Sequence, residues 1–290
     1  MIIQGSEVLG VTEVDWARLA RPQKDGYDTR VIAYEAQRRG SLLRADPWLR
    51  RPTQGAPTVL FGGMVAVRNR KEGGLPYPRY VPAAPQHPNL NSAEDILHCW
   101  PEASEQFPLL VDTIEVWTDS HVEDDVIEYT GFSSHSNEGE FGIIMLTVGH
   151  PLVIAEGMVH EMAHHKLRVL GISFLNASKM IVNDPSELYV SPIITSTKRP
   201  MTAVFHAQYS FIHVTSLNLS VYARSPADSE LRRQALRRLA RYVPRMETGH
   251  VEIARHLQTD ELGKIFCGAF MDWSAEVISL GKKILDRELN

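Results

Sequence analysis

A chain of 290 residues that is 43% hydrophobic and 22% charged can bury a core in one large domain or two small ones, which excludes general disorder. A net charge of −5 argues against nucleic acid as a partner, and no apolar run approaches the ~18 residues of a membrane span, so no membrane partner is expected either. The opening Met1-Ile2-Ile3-Gln4-Gly5-Ser6-Glu7 lacks the basic-then-apolar order of a signal peptide, and Cys99 and Cys267 form no CxxC pair, so a cytoplasmic protein with two small core cysteines is expected.

The first ninety residues are heterogeneous. They offer a helix from about Glu13 to Arg39 and an extended run from Thr58 to Val67 containing Gly62-Gly63. A segment with Gly73, Gly74, Pro76, Pro78, Pro82, Pro85 and Pro88 then reads as a long loop or boundary. Asn91 to Trp100 starts with Asn-Ser-Ala-Glu, a capped helix start, and Leu109 to Trp117 has the composition of a strand or short buried segment. The acidic run Asp119 to Glu128 reads as an exposed loop, and Gly131 to Gly139 is rich in turn residues. Phe141 to Val148 is an apolar run of strand length.

Pro151 is placed to open a helix and Gly171 to close it, and the residues between are apolar nearly all round. After a mixed stretch to about Ile194, helices are expected over Pro200 to Ala223, Asp228 to Val243, Thr248 to Leu257 and Gly263 to Leu289. Arg232, Arg233, Arg237, Arg238, Arg241 and Arg245 lie on an amphipathic helix, and a solvated face is the default reading, with a docking surface for an acidic peptide as the sharper one. No internal repeat of fixed period is present.

The Pro151 to Gly171 helix carries His160-Glu161-Met162-Ala163-His164. Two histidines four apart on an α-helix lie roughly 40° apart on one face, one turn above the other, and both can reach one ion. Glu161 falls on the flank of that ion, as in the H-E-x-x-H pattern of metalloproteases. Two imidazoles and a carboxylate in an apolar helix need partners, because an unpaired buried polar group costs several kcal/mol. A metal supplies them; ordinary hydrogen bonding of core histidines is the plainer alternative.

Two histidines need a third ligand, and two candidates lie downstream. Glu187 would complete a His2Glu zinc site, with Glu161 as the general base of a metallopeptidase, but Pro185 is disfavoured inside the helix such a site uses. His206 is the other. With Pro200 as first helical residue, Arg199 falls on the face of His206 about 10 Å away along the axis, a span that suits a small dicarboxylate held by metal at one end and Arg199 at the other. His213 reads as a packed helix histidine and His165 as structural or exposed.

Several blocks then follow in order. They are Gly131-Phe132-Ser133-Ser134, Glu140-Phe141-Gly142-Ile143-Ile144, Val159-His160-Glu161-Met162-Ala163-His164-His165-Lys166-Leu167, Glu187-Leu188-Tyr189-Val190-Ser191-Pro192, Arg199-Pro200 and Phe205-His206-Ala207-Gln208-Tyr209-Ser210-Phe211. In this order they resemble the α-ketoglutarate-dependent HExxH-type peptide β-hydroxylases. The resemblance implies an Fe(II) enzyme using 2-oxoglutarate and O2 to hydroxylate the β-carbon of a residue in a peptide, often one on the way to a modified natural product. It implies His160, His164 and His206 as iron ligands and Arg199 as the co-substrate clamp. It places Ser133 and Ser134 in a turn near the site, as contacts to co-substrate or substrate, and gives Glu161 an orienting role rather than that of a base. The chain departs from the family in having Ile193 where Trp commonly follows Ser-Pro, and Lys198 directly before Arg199, so either cation suits the clamp.

The expected architecture is a single α+β domain over residues 1–290, mainly helical, with a small sheet feeding the buried motif helix. Within it, residues 1–90 would help hold the peptide, 131–211 form the metal and co-substrate core, and 212–290 form a helical layer.

Overall fold

Residues 14–40, 58–69, 80–119, 134–136, 141–174, 179–193 and 197–289 are described in a computed structural model. The fold is α+β and mainly helical, with a helical C-terminal half. Its contacts divide the chain into two compact units, Met1–Ala36 with Lys166–Asn290, and Gln37–His165; the division falls inside the motif helix.

The second unit holds the sheet. Strands β1 (Thr58–Leu60), β2 (Val65–Asn69), β3 (Tyr80–Pro82), β4 (Thr113–Asp119), β5 (Ser134–His135) and β6 (Ile143–Thr147) assemble in the order β1-β2-β4-β6-β5, with β3 on β4. The three inner strands run parallel, β2 on β4 and β4 on β6, and the outer pairings are antiparallel. Parallel strands are buried on both faces and so read as unbroken apolar runs. Ile114, Val116, Trp117, Ile144 and Leu146 are accordingly fully buried. The expected extended run Thr58 to Val67 is instead two strands joined by a 3-10 turn, in which Gly62 adopts φ +63° and the Phe61 amide donates to Glu94 Oε1 at 2.8 Å.

Helices α3 (Asn89–Leu97) and α4 (Pro101–Leu110) precede β4. Leu109 and Leu110, expected in a strand or short buried segment, are buried and end α4. An apolar run alone does not separate a buried helix from a strand, and Pro101 in the first turn together with Phe107 and Leu110 in the core extends the helix that far. From β6 the chain passes through Val148, Gly149 and His150 into α5 (Pro151–Val169), so the sheet does feed the motif helix.

The first unit carries helices α1 (Trp16–Leu19), most of α2 (Tyr27–Gly40), α6 (Met201–Arg224), α7 (Glu230–His256) and α8 (Glu261–Leu289). The single helix expected over Glu13 to Arg39 is broken by Pro22 and by Gly26, whose φ is +67°. Asp15 caps α1 through the amides of Ala17 and Arg18. The two helices expected on either side of Pro244 are one, α7. Ala240 and Pro244 both lie on its exposed side, where a lost backbone bond costs least, while Val243, Met246 and Ile253 continue the buried face. Among the described residues no helix is long and apolar enough to cross a membrane.

Candidate metal centre

Helix α5 begins as its sequence dictates. Pro151 opens it, and the His150 ring accepts from the Leu152 amide through Nδ1 at 3.2 Å, satisfying one of the first-turn donors that a helix leaves unpaired. It closes on Gly171 at φ +88°, with Gly171 N donating to Arg168 O and Ile172 N to Leu167 O, the two bonds of a Schellman ending. Between these ends the helix is buried on nearly every side; only Pro151, His160, His164 and Arg168 are even half-exposed. His160, His164 and Arg168 share one stripe at four-residue spacing, and solvent reaches the helix along it.

On that stripe the Nε2 atoms of His160 and His164 are 3.1 Å apart, with ring centroids 4.6 Å apart and planes nearly perpendicular. This separation suits an N–H···N bond between one donor and one acceptor ring. It also suits two neighbouring ligands of one ion, since metal–nitrogen bonds of about 2.1 Å place adjacent nitrogens ~3 Å apart. Glu161 is almost wholly buried, and its Oε1 lies 3.9 Å from His160 Nε2, on the flank where its register puts it. Burial holds the His160 imidazole below its ordinary pKa of 6.5, against the opposing pull of the Glu161 and Glu156 carboxylates, so the ring is neutral and keeps a lone pair for a cation at neutral pH.

His206 is fully buried on α6 in the other unit. Its Nε2 hydrogen-bonds the Ile172 carbonyl at 3.0 Å, and its ring packs edge-on against Phe174. A backbone carbonyl can only accept, so the proton sits on Nε2 and the lone pair on Nδ1, the arrangement usual for a metal-binding imidazole held by its second nitrogen. Among the described residues, however, no group of three or more His, Cys, Asp or Glu side chains is placed to hold a metal ion. The residues present therefore fit two coordination positions, both from α5.

Arg199 is half-exposed in extended backbone, exchanging two hydrogen bonds with Tyr189. Pro200 is the N-cap of α6, with φ −54° and ψ 151°, and not its first helical residue, so the same-face relation expected between Arg199 and His206 does not hold. Lys198 beside it is exposed. Ser134 pairs with Leu146 in β5, and Ser133 lies outside the described residues. Glu187 is exposed on a turn that follows Pro185, and its carboxylate accepts from the Tyr189 hydroxyl; it is not carried on a helix. His213 is a packed helix histidine, its Nδ1 on the Tyr209 carbonyl at 2.8 Å and its ring against Tyr209 and Trp273. His165 is buried, edge-on to Phe141.

On the arginine-bearing helix, Arg233 and Arg237 pair with Glu230 and Arg232 lies over the Tyr222 ring, which suits the solvated-face reading for this end. Arg238 is buried over Tyr242. Asp119 is also buried, at the end of β4, and the rest of the acidic run lies outside the described residues.

Sequence reasoning overlooked two polar groups. Glu156, 5% exposed, precedes His160 by four residues on the same stripe, a spacing legible in the sequence. Lys166, fully buried, forms a 3.0 Å ion pair with Asp28, which is fully buried on α2. No local pattern announces that pair, because its members are 138 residues apart. No family model matches the chain, and no curated protein matches it.

Proposed function

We propose that the chain is an Fe(II)- and 2-oxoglutarate-dependent oxygenase that hydroxylates the β-carbon of a residue in a peptide. The observation that carries this reading is the 3.1 Å separation of the two Nε2 atoms on the one solvent-reached stripe of an otherwise buried helix. The ordered sequence blocks give the pair its chemical class. His160 and His164 would hold the cation; His206 enters this reading only as the third ligand that the resemblance implies, and its Nε2 is engaged by the Ile172 carbonyl. Iron bound with the keto acid and O2 would supply the oxidising power for attack on a C–H bond. Glu161, fixed by burial beside His160, orients that ring. Arg199 or Lys198 takes the far carboxylate of the co-substrate, Arg199 being the better suited because a guanidinium can grip both oxygens. Nothing in the setting of Glu187 favours the peptidase alternative, since it is exposed and engaged by Tyr189.

The test is anaerobic reconstitution with Fe(II) and 2-oxoglutarate, following the weak visible charge-transfer band near roughly 500 nm that a chelated keto acid gives. A band in the wild type that is lost in His206→Ala and weakened in Arg199→Ala supports the reading. No band, with zinc retained by His206→Ala and lost by Glu187→Ala, replaces it with hydrolysis.

A further inference from the structure

The arginines of helix α7 fall into two sets. Toward the start of the helix each has company: Arg233 and Arg237 pair with Glu230, Arg232 lies over the Tyr222 ring and donates to the Tyr222 carbonyl at 2.7 Å, and Arg238 is buried over Tyr242. Arg241 and Arg245, one turn apart, are half-buried, and neither has an ion-pair or hydrogen-bond partner among the described residues. The sequence shows why. The positions three and four residues to either side are Arg237, Arg238, Pro244 and Arg245 for Arg241, and Arg241, Tyr242, Thr248 and Gly249 for Arg245, so no carboxylate falls where the helix itself could supply one.

Covering apolar surface with an aliphatic stem accounts for the half-burial of either side chain. It does not account for the charge. Like charges four residues apart on a helix repel, and Arg241 and Arg245 stand in that relation. A half-buried cation is also screened less by salt than an exposed one, so its attraction for an anion is stronger. The helix thus presents two guanidinium groups whose demand for a carboxylate is not met among the described residues.

Both arginines border the face by which α7 packs on α6. Tyr242, next to Arg241, has its ring 5.4 Å from that of Phe211, and Met246, next to Arg245, accepts Gln208 Nε2 through its carbonyl at 2.8 Å. A Cβ on Gly249, one turn past Arg245, would meet Pro192 at 2.7 Å, so Pro192 packs against α7 there. Phe211, and Ile193 after Pro192, are half-exposed, so apolar side chains border the pair at both ends. Residues one helical turn apart have Cβ atoms roughly 5–6 Å from each other, and alternate side chains of an extended peptide lie roughly 6–7 Å apart on one side, so two carboxylates of such a peptide can meet the two arginines. Each guanidinium can grip both oxygens of its carboxylate. The net charge of −5 opposes long polyanions such as nucleic acid and favours a short acidic segment.

Resting on the proposed function for the peptide being the substrate, we propose that Arg241 and Arg245 dock an acidic segment of that peptide, one carboxylate on each guanidinium, along the border of α7 with α6. Arg233 and Arg237, held by Glu230, take no part. Acidic residues in the substrate then decide which peptides bind, separately from the chemistry at the metal.

The probe is a fluorescein-labelled peptide of glutamates with a single leucine, titrated into the metal-free full chain and followed by fluorescence anisotropy, beside a twin with glutamine for every glutamate. Arg241→Gln and Arg245→Gln should each raise the Kd roughly 10-fold, as expected for a lost hydrogen bond to a charged group, and the glutamine twin should bind the wild type no better than the double variant binds the probe. Arg233→Gln/Arg237→Gln should keep the wild-type affinity. The unfolding midpoint of Arg241→Gln/Arg245→Gln should not fall, since a repulsion has been removed, which separates lost docking from a damaged helix. Equal weakening by the two pairs of substitutions would overturn the proposal, by making the attraction a matter of overall charge. So would an oligothymidylate bound as tightly as the peptide, or self-association of the wild type that the Arg241→Gln/Arg245→Gln variant loses. No peptide binding, with Co(II) still taken up through His160 in an anaerobic titration followed by visible absorption, overturns the docking surface and leaves the oxygenase reading standing. Peptide bound in the expected pattern by a chain that takes up no Co(II) keeps the docking surface and removes the oxygenase reading, and with it the peptide's standing as substrate.

Discussion

Helix α5 carries polar groups of two kinds within a few residues, and they are buried on different terms. Lys166 meets Asp28 at 3.0 Å with neither side chain exposed, and the second carboxylate oxygen of Asp28 takes the Gln23 amide at 2.7 Å. Charge is matched by charge, and the arrangement closes on itself. His160 and His164 are half-exposed and directed at each other, and burial keeps the His160 ring neutral. They can exchange a shared proton for a cation, whereas the ion pair has nothing to exchange. Burial in company thus marks a residue that holds the fold, and partial burial on a polar stripe marks one that can bind.

The sharpest way to break that comparison is to leave one charge of the ion pair alone. Asp28→Ala should cost about 3–5 kcal/mol of unfolding free energy, because it strands an ammonium in the core, and Lys166→Met should be similarly harmful by stranding the carboxylate. The double variant Asp28→Ala/Lys166→Met should lose much less than the sum, since no buried charge remains. Urea denaturation of the four proteins closes the cycle. Additive losses would mean that the two residues act separately and that their closeness has no energetic content.

At the imidazole pair the order of effects reverses. His160→Ala or His164→Ala should weaken Co(II) binding by about 100-fold or more, roughly 2.7 kcal/mol. The metal-free stability should change by no more than about 1 kcal/mol, as is usual where a half-exposed side chain is shortened. Titration and thermal melts on the same samples give both numbers. A loss of stability as large as that of Asp28→Ala would erase the distinction between the two ends of the helix.

A smaller effect separates charge from shape in the unit that holds the ion pair. A Cβ on Gly263, near the start of α8, would sit 2.1 Å from the Met180 carbonyl oxygen, a backbone atom that cannot swing aside. Gly263→Ala should therefore cost about 1–3 kcal/mol in denaturant unfolding, with Co(II) affinity unchanged. An affinity change there would show that the site depends on packing far along the chain.

What could be read in advance follows from how local each signal is. The Pro151 start, the Gly171 stop and the His160–His164 spacing are all contained in one helix, and the helix and the paired rings are as expected. Leu109 and Leu110 left strand and short buried segment both open because burial, the property they advertise, is shared by α4 and β4. Pro244 misled because only the fold decides that it lies on an exposed side of α7, where a helix can tolerate it. The setting of His206 depends on Ile172, and that of Lys166 on Asp28. Neither partner is fixed by spacing along one element, so a helix pattern says nothing of them.

The subtlest prediction is in the acid limb of the stability curve. His160 and His250 are both held below their ordinary pKa of 6.5 by burial, His160 against Glu161 and Glu156 and His250 against Glu247. A folded state that resists protonation binds fewer protons than the unfolded chain, so stability rises with pH across the window between the lowered folded value and 6.5. The contribution is complete above 6.5 and is lost as the pH falls through that window. Each histidine adds at most about one proton to the slope. In the metal-free protein His250→Gln should flatten the limb by His250's share, leaving the imidazole pair intact. His160→Ala should flatten it by a separate share and also remove metal binding. Equal flattening with equal loss of Co(II) affinity would place His250, which bonds Ser274 at 3.2 Å, in the same functional class as His160. Flattening without any loss of affinity keeps His250 among the groups that serve the fold.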